Sequence, residues 1–508
     1  MALARRAGSW RDMGRSWLLS HGEVLPLMAL ALGLSLVYLA SVDVLGLPYD
    51  DSYISLQFAR NLAKHGYITF DGETAVAGAT SLLHVAILAI PIKLGGDPVK
   101  VSLASGIIFH LALVASVYWL AWSIFRERWT ASVAAASAGV MGYLTLDALN
   151  GMETTLFLTV TTAAAAAFFS ARTWRGYLAS GILVGLSVLT RPEGVLLLGA
   201  MVLYYVATVH GGTVVRMTLE DLRRLVLIGM PSVLALVGLA SFYWATTGTV
   251  TPGAATAKLL FFREFELSYL QRFDLAQGGV ANFIGPVLPW LVLAGFAVRR
   301  REAVLFALFW VAFIIMYYAL FPGGLTHYWY RYQHVFLPPL AVFGAAGLVS
   351  VVRGRTWRAL DVVAAVAVGF VLLGITVFQY ENFRNHYAFE IDLNEGRQVV
   401  MAEFLRDEVP PGVSIATHDI GAIGYFSERE VIDLVGLVNP DVIDSHDGRE
   451  LREYVDDVQP GYIVVLESWE VLYMRLGLED SPELFEPLRI FPGGRAGTFT
   501  VYRTHYSP

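Results

Sequence analysis

The chain has 508 residues, 56% of them hydrophobic, 13% aromatic and only 16% charged, with a mean hydropathy of +0.56. That balance excludes an ordinary soluble domain and points to a polytopic α-helical membrane protein. The net charge of −7 says less than where the charges sit, and the lack of cysteine excludes disulfides and thiol chemistry without fixing a compartment.

The N-terminus is basic, with Arg5, Arg6, Arg11 and Arg15 ahead of an apolar run from Val24 to Val42. No small-residue cleavage site follows, so the run reads as an uncleaved first span with a cytoplasmic N-terminus. Next comes a stretch denser in charge, LPYDDSYISLQFARNLAKHGYITFDGETAVAGATS, from Leu47 to Ser81. Asp50 and Asp51 open it at the membrane edge. Ser52 to Lys64 reads as a surface helix with Ile54, Phe58, Ala59 and Leu62 on one face. Asp50 is also a candidate cap for that helix.

The run Ser81–Leu94 carries His84, Pro91 and Lys93 and is too short for a confident span. Its status sets the sidedness of all that follows. If it does not span, Arg126 and Arg128, Arg172 and Arg175, Arg216, Arg223 and Arg224, Arg299–Arg301, and Arg353, Arg355 and Arg358 all fall on the cytoplasmic side. If it spans, every one of those clusters lies outside, against the positive-inside rule. The non-spanning choice wins.

Hydropathy then gives about eleven spans within residues 1–377. The outer segments are the first loop 43–100, Asn150–Glu153, Arg191–Gly194, Thr246–Gln277 and Phe321–His334. After a last span at roughly 359–377, residues 378–508 lie outside the membrane. That tail alternates helix-like text with short β-branched runs, at Val413–Thr417, in EVIDLVGLV and in GYIVVLES, and closes on a strand pair near Leu488–Phe491 and Thr498–Arg503. It reads as an extracytoplasmic α/β domain. Gly421 and Gly424 in DIGAIGY make no dinucleotide fingerprint and read as turn and packing glycines.

Chemically useful residues concentrate in the outer segments: Asp50, Asp51, Glu153, Arg191, Glu193, Lys258, Arg263, His327, Arg331 and His334. A basic set with a few carboxylates at one membrane level suits an anionic substrate. The cytoplasmic loops hold no GxxxxGK[ST] and no dinucleotide fold, which argues against ATP or a nucleotide sugar, and nothing marks a nucleic-acid partner. His84, His327 and His334 match no compact metal motif, so no metal ligand is assigned, and dependence on a divalent metal is left undecided.

The DDSYISLQFARNLAKHGYITFDGE…AGATS stretch resembles the first outer loop of GT-C-fold glycosyltransferases that use lipid-linked sugars. NGMETTLF at 150–157, LTRPEG at 189–194, TPGAATAK ending at Lys258, HYWYRYQHVFLPPL at 327–340 and DIGAIGYF…VIDLVGLVNP at 419–440 extend the likeness nearly end to end. It is most similar to the bacterial arabinofuranosyltransferase-like and mannosyltransferase-like branch. The resemblance implies a GT-C membrane core with an outer C-terminal domain in the bacterial plasma membrane. It implies a polyprenyl-phosphate-sugar donor held in the bilayer and a glycan, glycolipid or protein acceptor. It also implies Asp50 as the catalytic base, with Asp51 as its understudy or as an orienting group.

Physical chemistry agrees with those residue types. A departing polyprenyl phosphate needs cations, and an attacking hydroxyl needs a base. Glu153 is expected in the sugar pocket, Arg191, Lys258 and Arg331 near the phosphate, and Glu193 and His327 in the substrate site. Each has a plainer rival: helix capping for the two aspartates and Glu153, mutual pairing for Arg191 and Glu193, and lipid head-group contact for Lys258 and Arg331. The competing class is a transporter or flippase of lipid-linked or anionic substrates. Such carriers usually place ionisable groups near the midplane within repeated halves, and no repeat is visible here.

Overall fold

A computed structural model describes residues 21–506 apart from 80, 210–216, 249, 251–252, 354–358, 448–449 and 468. Arg5, Arg6, Arg11, Arg15, Arg216, Arg355 and Arg358 therefore lie outside the described residues. Five helical runs are long and apolar enough to cross a membrane: Pro98–Phe125, Leu219–Thr247, Tyr269–Gly295, Ala303–Leu320 and Pro322–Arg353. A sixth arises if Arg128–Val140 and Gly142–Leu149, bent by 56°, make one broken span.

Among the described residues, five or six helices thus meet the length criterion, where hydropathy suggested about eleven. Part of the shortfall lies in length. Val24–Leu39 and Thr154–Ser170 have 16 and 17 residues. At 1.5 Å per residue such helices reach about 24–26 Å, short of a hydrocarbon core of about 30 Å. Leu82–Lys93 has only 12 residues and includes Pro91, so it is too short to cross.

The bundle packs closely where side chains are small. A Cβ at Gly106 would sit 2.0 Å from the Ala148 carbonyl oxygen, so only glycine lets these two helices meet. Gly142–Leu149 is buried along its whole length.

The C-terminal region folds around a five-stranded sheet: β1 Ile415–Thr417, β2 Val431–Asp433, β3 Tyr462–Leu466, β4 Phe485–Pro492 and β5 Thr498–Thr504. Its order is β2-β1-β3-β5-β4. β1 pairs parallel with β2 and β3, whereas β5 pairs antiparallel with β3 and β4. The alternation of β3 feeds two cores: Tyr462 and Val464 join Met401, Leu405 and Phe499 on one face, and Ile463 and Val465 join Val455, Leu472 and Phe485 on the other.

A long helix, Ala359–Leu393, leads into this region through a π-helical turn at Asn394–Val399. The turn ties the tail to the chain on both sides of Asp50. Asn394 Nδ2 donates to the Leu47 carbonyl at 2.7 Å, and the Tyr53 hydroxyl donates to Glu395 at 2.5 Å.

Candidate active site

The first-loop helix runs from Asp50 to His65 and stops at Gly66, which adopts φ +85°. Tyr53, Leu56, Phe58 and Ala59 bury its inner face. Gln57 and Asn61, one turn apart, both donate to the Phe70 carbonyl at 2.7 Å, folding the loop back against the helix. Asp50 and Asp51 occupy its first turn, and successive residues of a helix point about 100° apart. Their fates differ accordingly.

Asp50 turns away from the membrane bundle. Its Oδ2 accepts from the Gly421 N–H and its Oδ1 from the Ala422 N–H, each at 2.7 Å. It therefore caps the short tail helix Gly421–Phe426, while Tyr49 holds the cap position of its own helix. A Cβ at Gly421 would lie 2.0 Å from the Asp50 carbonyl oxygen, so glycine is required for this contact.

Asp51 faces a half-open cavity of about 450 Å³. Its Oδ2 lies 3.6 Å from Arg331 Nη2, 4.0 Å from Lys258 Nζ and 4.0 Å from His327 Nε2. Partial burial alone would raise this carboxyl, but Lys258, His327 and Arg331 override it and hold it ionised, well below the ordinary aspartate range. Six of the eight expected residues line the cavity: Asp51, Glu153, Arg191, Glu193, Lys258 and Arg331. His327 reaches it through Asp51, and Asp50 does not line it. Beyond this polar end the wall is apolar, with Leu259, Met316, Leu320 and Phe321.

His327 and Arg331 are presented by an unusual backbone. Tyr328, Trp329 and Tyr330 all have positive φ, at 40°, 55° and 67°. Left-handed conformation costs roughly 1–2 kcal/mol per non-glycine residue, so the surroundings must hold it. Tyr328 stacks on Tyr49 at 4.4 Å between centroids, and Trp329 packs 4.0 Å from the His386 ring. His334 Nε2 donates to the Trp329 carbonyl at 2.9 Å, and its Nδ1 lies 2.7 Å from Asp147 Oδ2. The fully buried Asp147–His334 pair thus pins the segment that carries both cavity groups. Asp147 was missed in the sequence, although an acid inside the apolar text GYLTLDAL is a signal for function or a buried pair.

Arg191 belongs to a second cluster. Its Nη2 donates to Glu193 Oε1 at 3.4 Å, and its Nε lies 3.7 Å from Glu153 Oε1. The Tyr317 hydroxyl donates to the same Glu193 oxygen at 2.8 Å. Tyr332 stands between the clusters, its ring centroid 4.5 Å from the Arg191 guanidinium and 4.9 Å from that of Arg331. Tyr317 and Tyr332 are not among the expected site residues: Tyr317 lies inside an apolar run with no charged neighbour, and Tyr332 follows Arg331 in an aromatic-rich segment.

Arg331 is buried and only partly spent. It donates to Met152 Sδ and to the Tyr332 hydroxyl, while its Nε has no hydrogen-bond partner. A third carboxyl, Asp419, follows β1 and accepts from Gln398 Nε2 at 3.0 Å. Enclosure, with the Asp51 charge nearby, pushes it up to about 6. His84 is buried with its Nδ1 unpartnered, apart from His327 and His334. Among the described residues, no three His, Asp or Glu side chains gather in a metal-holding group.

The fold has known counterparts. ArnT from Cupriavidus metallidurans bound to undecaprenyl phosphate superposes with a TM-score of 0.57 at 16% identity, over 95% of this chain and 98% of that one. The oligosaccharyltransferase AglB from Archaeoglobus fulgidus, in complex with an inhibitory peptide and a dolichol-phosphate, gives 0.58 at 15%, over 96% and 75%. The arabinofuranosyltransferase AftD from Mycobacteria gives 0.50 at 16%, over 94% of this chain and 41% of AftD. The chain shares the fold of these proteins. Residues 385–505 match a family described as a domain of unknown function, DUF8728. No curated protein matches the chain.

Proposed function

We propose that this protein is an inverting glycosyltransferase that moves a sugar from a polyprenyl-phosphate donor to a cell-envelope acceptor on the outer face of a bacterial plasma membrane. Residues 1–377 would form its membrane catalytic domain and 378–508 an outer domain. The observation that carries this reading is the polar end of the cavity: one carboxylate, Asp51, facing Lys258, His327 and the partly unspent Arg331, with an apolar channel beyond. That is the arrangement needed by a lipid chain ending in a phosphate next to a reacting carbon. ArnT and AglB are seen with polyprenyl phosphates, which favours the same donor class here. Arabinofuranose is the first choice of sugar and mannose the second.

In the reaction, the acceptor hydroxyl gives its proton to Asp51 as its oxygen bonds to the anomeric carbon. The bond from that carbon to the phosphate oxygen breaks, and the electron pair leaves with polyprenyl phosphate. Lys258 and Arg331 stabilise the charge that develops on it. Attack opposite the phosphate inverts the carbon. Asp51 is a poor base while three groups hold its charge. An arriving phosphate competes for Lys258 and Arg331, so donor binding itself raises the basicity of Asp51. Glu153 and Glu193 are left to accept hydrogen bonds from sugar hydroxyls. Asp50, bonded to the tail, is assigned a structural part in the site rather than the base.

The test is transfer, or slow donor hydrolysis, by lipid-reconstituted protein given short-chain polyprenyl-phosphate arabinose and mannose. Asp51→Asn is expected to lose at least about 10²-fold in turnover, the usual weight of a general base, while still binding donor. Asp50→Asn is expected to lose less. Equal loss in both variants would return the base to Asp50. No turnover or binding by wild type with either donor, with lipid-linked sugar moved across the bilayer instead, would replace the enzyme by a carrier.

A further inference from the structure

Lys258 sits on a ten-residue helix, Gly253–Phe262, between two long membrane helices. Phe262 at its end meets the Phe321 ring of the bundle at 5.5 Å between centroids, while Phe261 turns to the tail. Phe261, 4% exposed, is inserted into the tail's core beside Ile432, Val442 and Leu472. The Phe261 ring also meets those of His446 and Trp469, at 5.1 and 5.8 Å between centroids. One residue beyond the helix, Arg263 Nη1 donates to the His446 carbonyl at 3.1 Å. On the same face, Ala257 lies against Gly436, where a new Cβ would come within 3.4 Å of its own. Phe261, one turn after Lys258, fixes both the height and the rotation of the lysine.

The tail grips the other side of the cavity too. The Gly421 and Ala422 N–H groups hold Asp50, the neighbour of Asp51, and Leu437 of the tail lines the cavity itself. Asp51 and Lys258 face each other across a gap, and the C-terminal α/β region makes contacts at both of its edges.

We propose that the C-terminal α/β region sets the separation of Asp51 and Lys258, with Phe261 and Arg263 as positioning residues for Lys258; only the identity of the phosphate that Lys258 meets rests on the glycosyltransferase reading. The region thereby acts as part of the site, and strain on its outer surface, such as acceptor binding, reaches the lysine through Phe261.

The chain has no cysteine, so engineered pairs report cleanly. Spin labels at Lys64→Cys and Leu260→Cys measure the gap between the first-loop helix and the Lys258 helix in full-length, lipid-reconstituted protein. Farnesyl phosphate affinity is measured on the same samples. Wild type is expected to give one narrow distance, Phe261→Ala a broad one, and Phe261→Leu a narrow one. Phe261→Ala should weaken farnesyl phosphate about tenfold, as for loss of one charge-assisted contact. Adding Lys258→Gln should then cost almost nothing more, since the lysine is already misplaced. If Phe261→Ala does not fold, Arg263→Gln is judged by the same distance. A narrow, unshifted distance in the folded variant, or additive losses, overturns the proposal. Failure of wild type to bind farnesyl phosphate counts against the donor reading alone, because the distances test the positioning independently.

Discussion

Two charged clusters share one cavity and have opposite balances. Around Arg191 there are two carboxylates, Glu153 and Glu193, for one guanidinium. Around Asp51 two permanent cations and an imidazole lie within 4.0 Å of its carboxylate, with Glu153 in electrostatic reach of Arg331 and Asp419 in reach of Asp51. The ring of Tyr332 separates them, in contact with both arginines. An arginine beside an apolar helix looks like a phosphate ligand, but Arg191 is already paired with two carboxylates, which a phosphate brought to it would also meet. On the proposed reading an anionic donor puts its phosphate on the Asp51 side, where Lys258 and the unpartnered Nε of Arg331 stand. Burial makes the distinction firm, because charges out of water cannot be compensated by solvent.

The largest expected effects come from exchanging the two arginines in turn. Arg191→Gln leaves the buried Glu153 and the partly buried Glu193 without their shared ion-pair partner, Glu153 keeping only the more distant Arg331, and is expected to lower stability by about 3 kcal/mol. Arg331→Gln leaves Asp51 with Lys258 and His327, so melting should change less, while turnover falls about 10²–10³-fold, as for loss of a donor to developing charge. Thermal unfolding and donor kinetics on the same preparations give both numbers. The contrast is broken if Arg191→Gln melts like wild type and loses phosphate binding. Lys258→Gln comes next. Lys258 is about a quarter exposed, so its attraction for phosphate is screened by salt. The substitution should raise the donor KM about tenfold and flatten its dependence on ionic strength. An unchanged salt dependence would move the phosphate to the Arg191 side.

How far the sequence reveals this arrangement depends on the distance between partners. Membrane class, the non-spanning run near Pro91 and the strands of the tail follow from local pattern, because hydropathy and period are local properties. The six charged residues that line the cavity were also legible, since acids and cations beside spans are few. Their division into two clusters was not. Asp50 and Asp51 are adjacent, and only the tail, 371 residues further along the chain, separates their tasks by offering N–H groups to one of them. Arg191 shows its Glu193 neighbour in RPEG, but its second partner, Glu153, lies in another loop. Phe261 reads as one more apolar residue in KLLFF, and nothing nearby announces the socket formed by the tail.

The smallest expected effect sharpens the comparison from the tail side. Asp419 lies within electrostatic reach of Asp51, so its charge state offsets part of the positive charge there. Its carboxyl is raised to about 6 by enclosure and by the Asp51 charge, against about 3.9 in an unfolded chain. A raised acid binds more protons in the folded state than in the unfolded one. The stability of neutral Asp419 is therefore fully present below its unfolded value and is lost as pH rises through about 6. Asn keeps an acceptor for Gln398 and carries no charge at any pH. Asp419→Asn should thus match wild type in melting at about pH 3 and exceed it at pH 7.5, with donor phosphate bound slightly more tightly at the higher pH. Parallel melting curves for the two proteins across that range would mean that Asp419 keeps its charge on folding, and that the Asp51 cluster holds its cations without help from the tail.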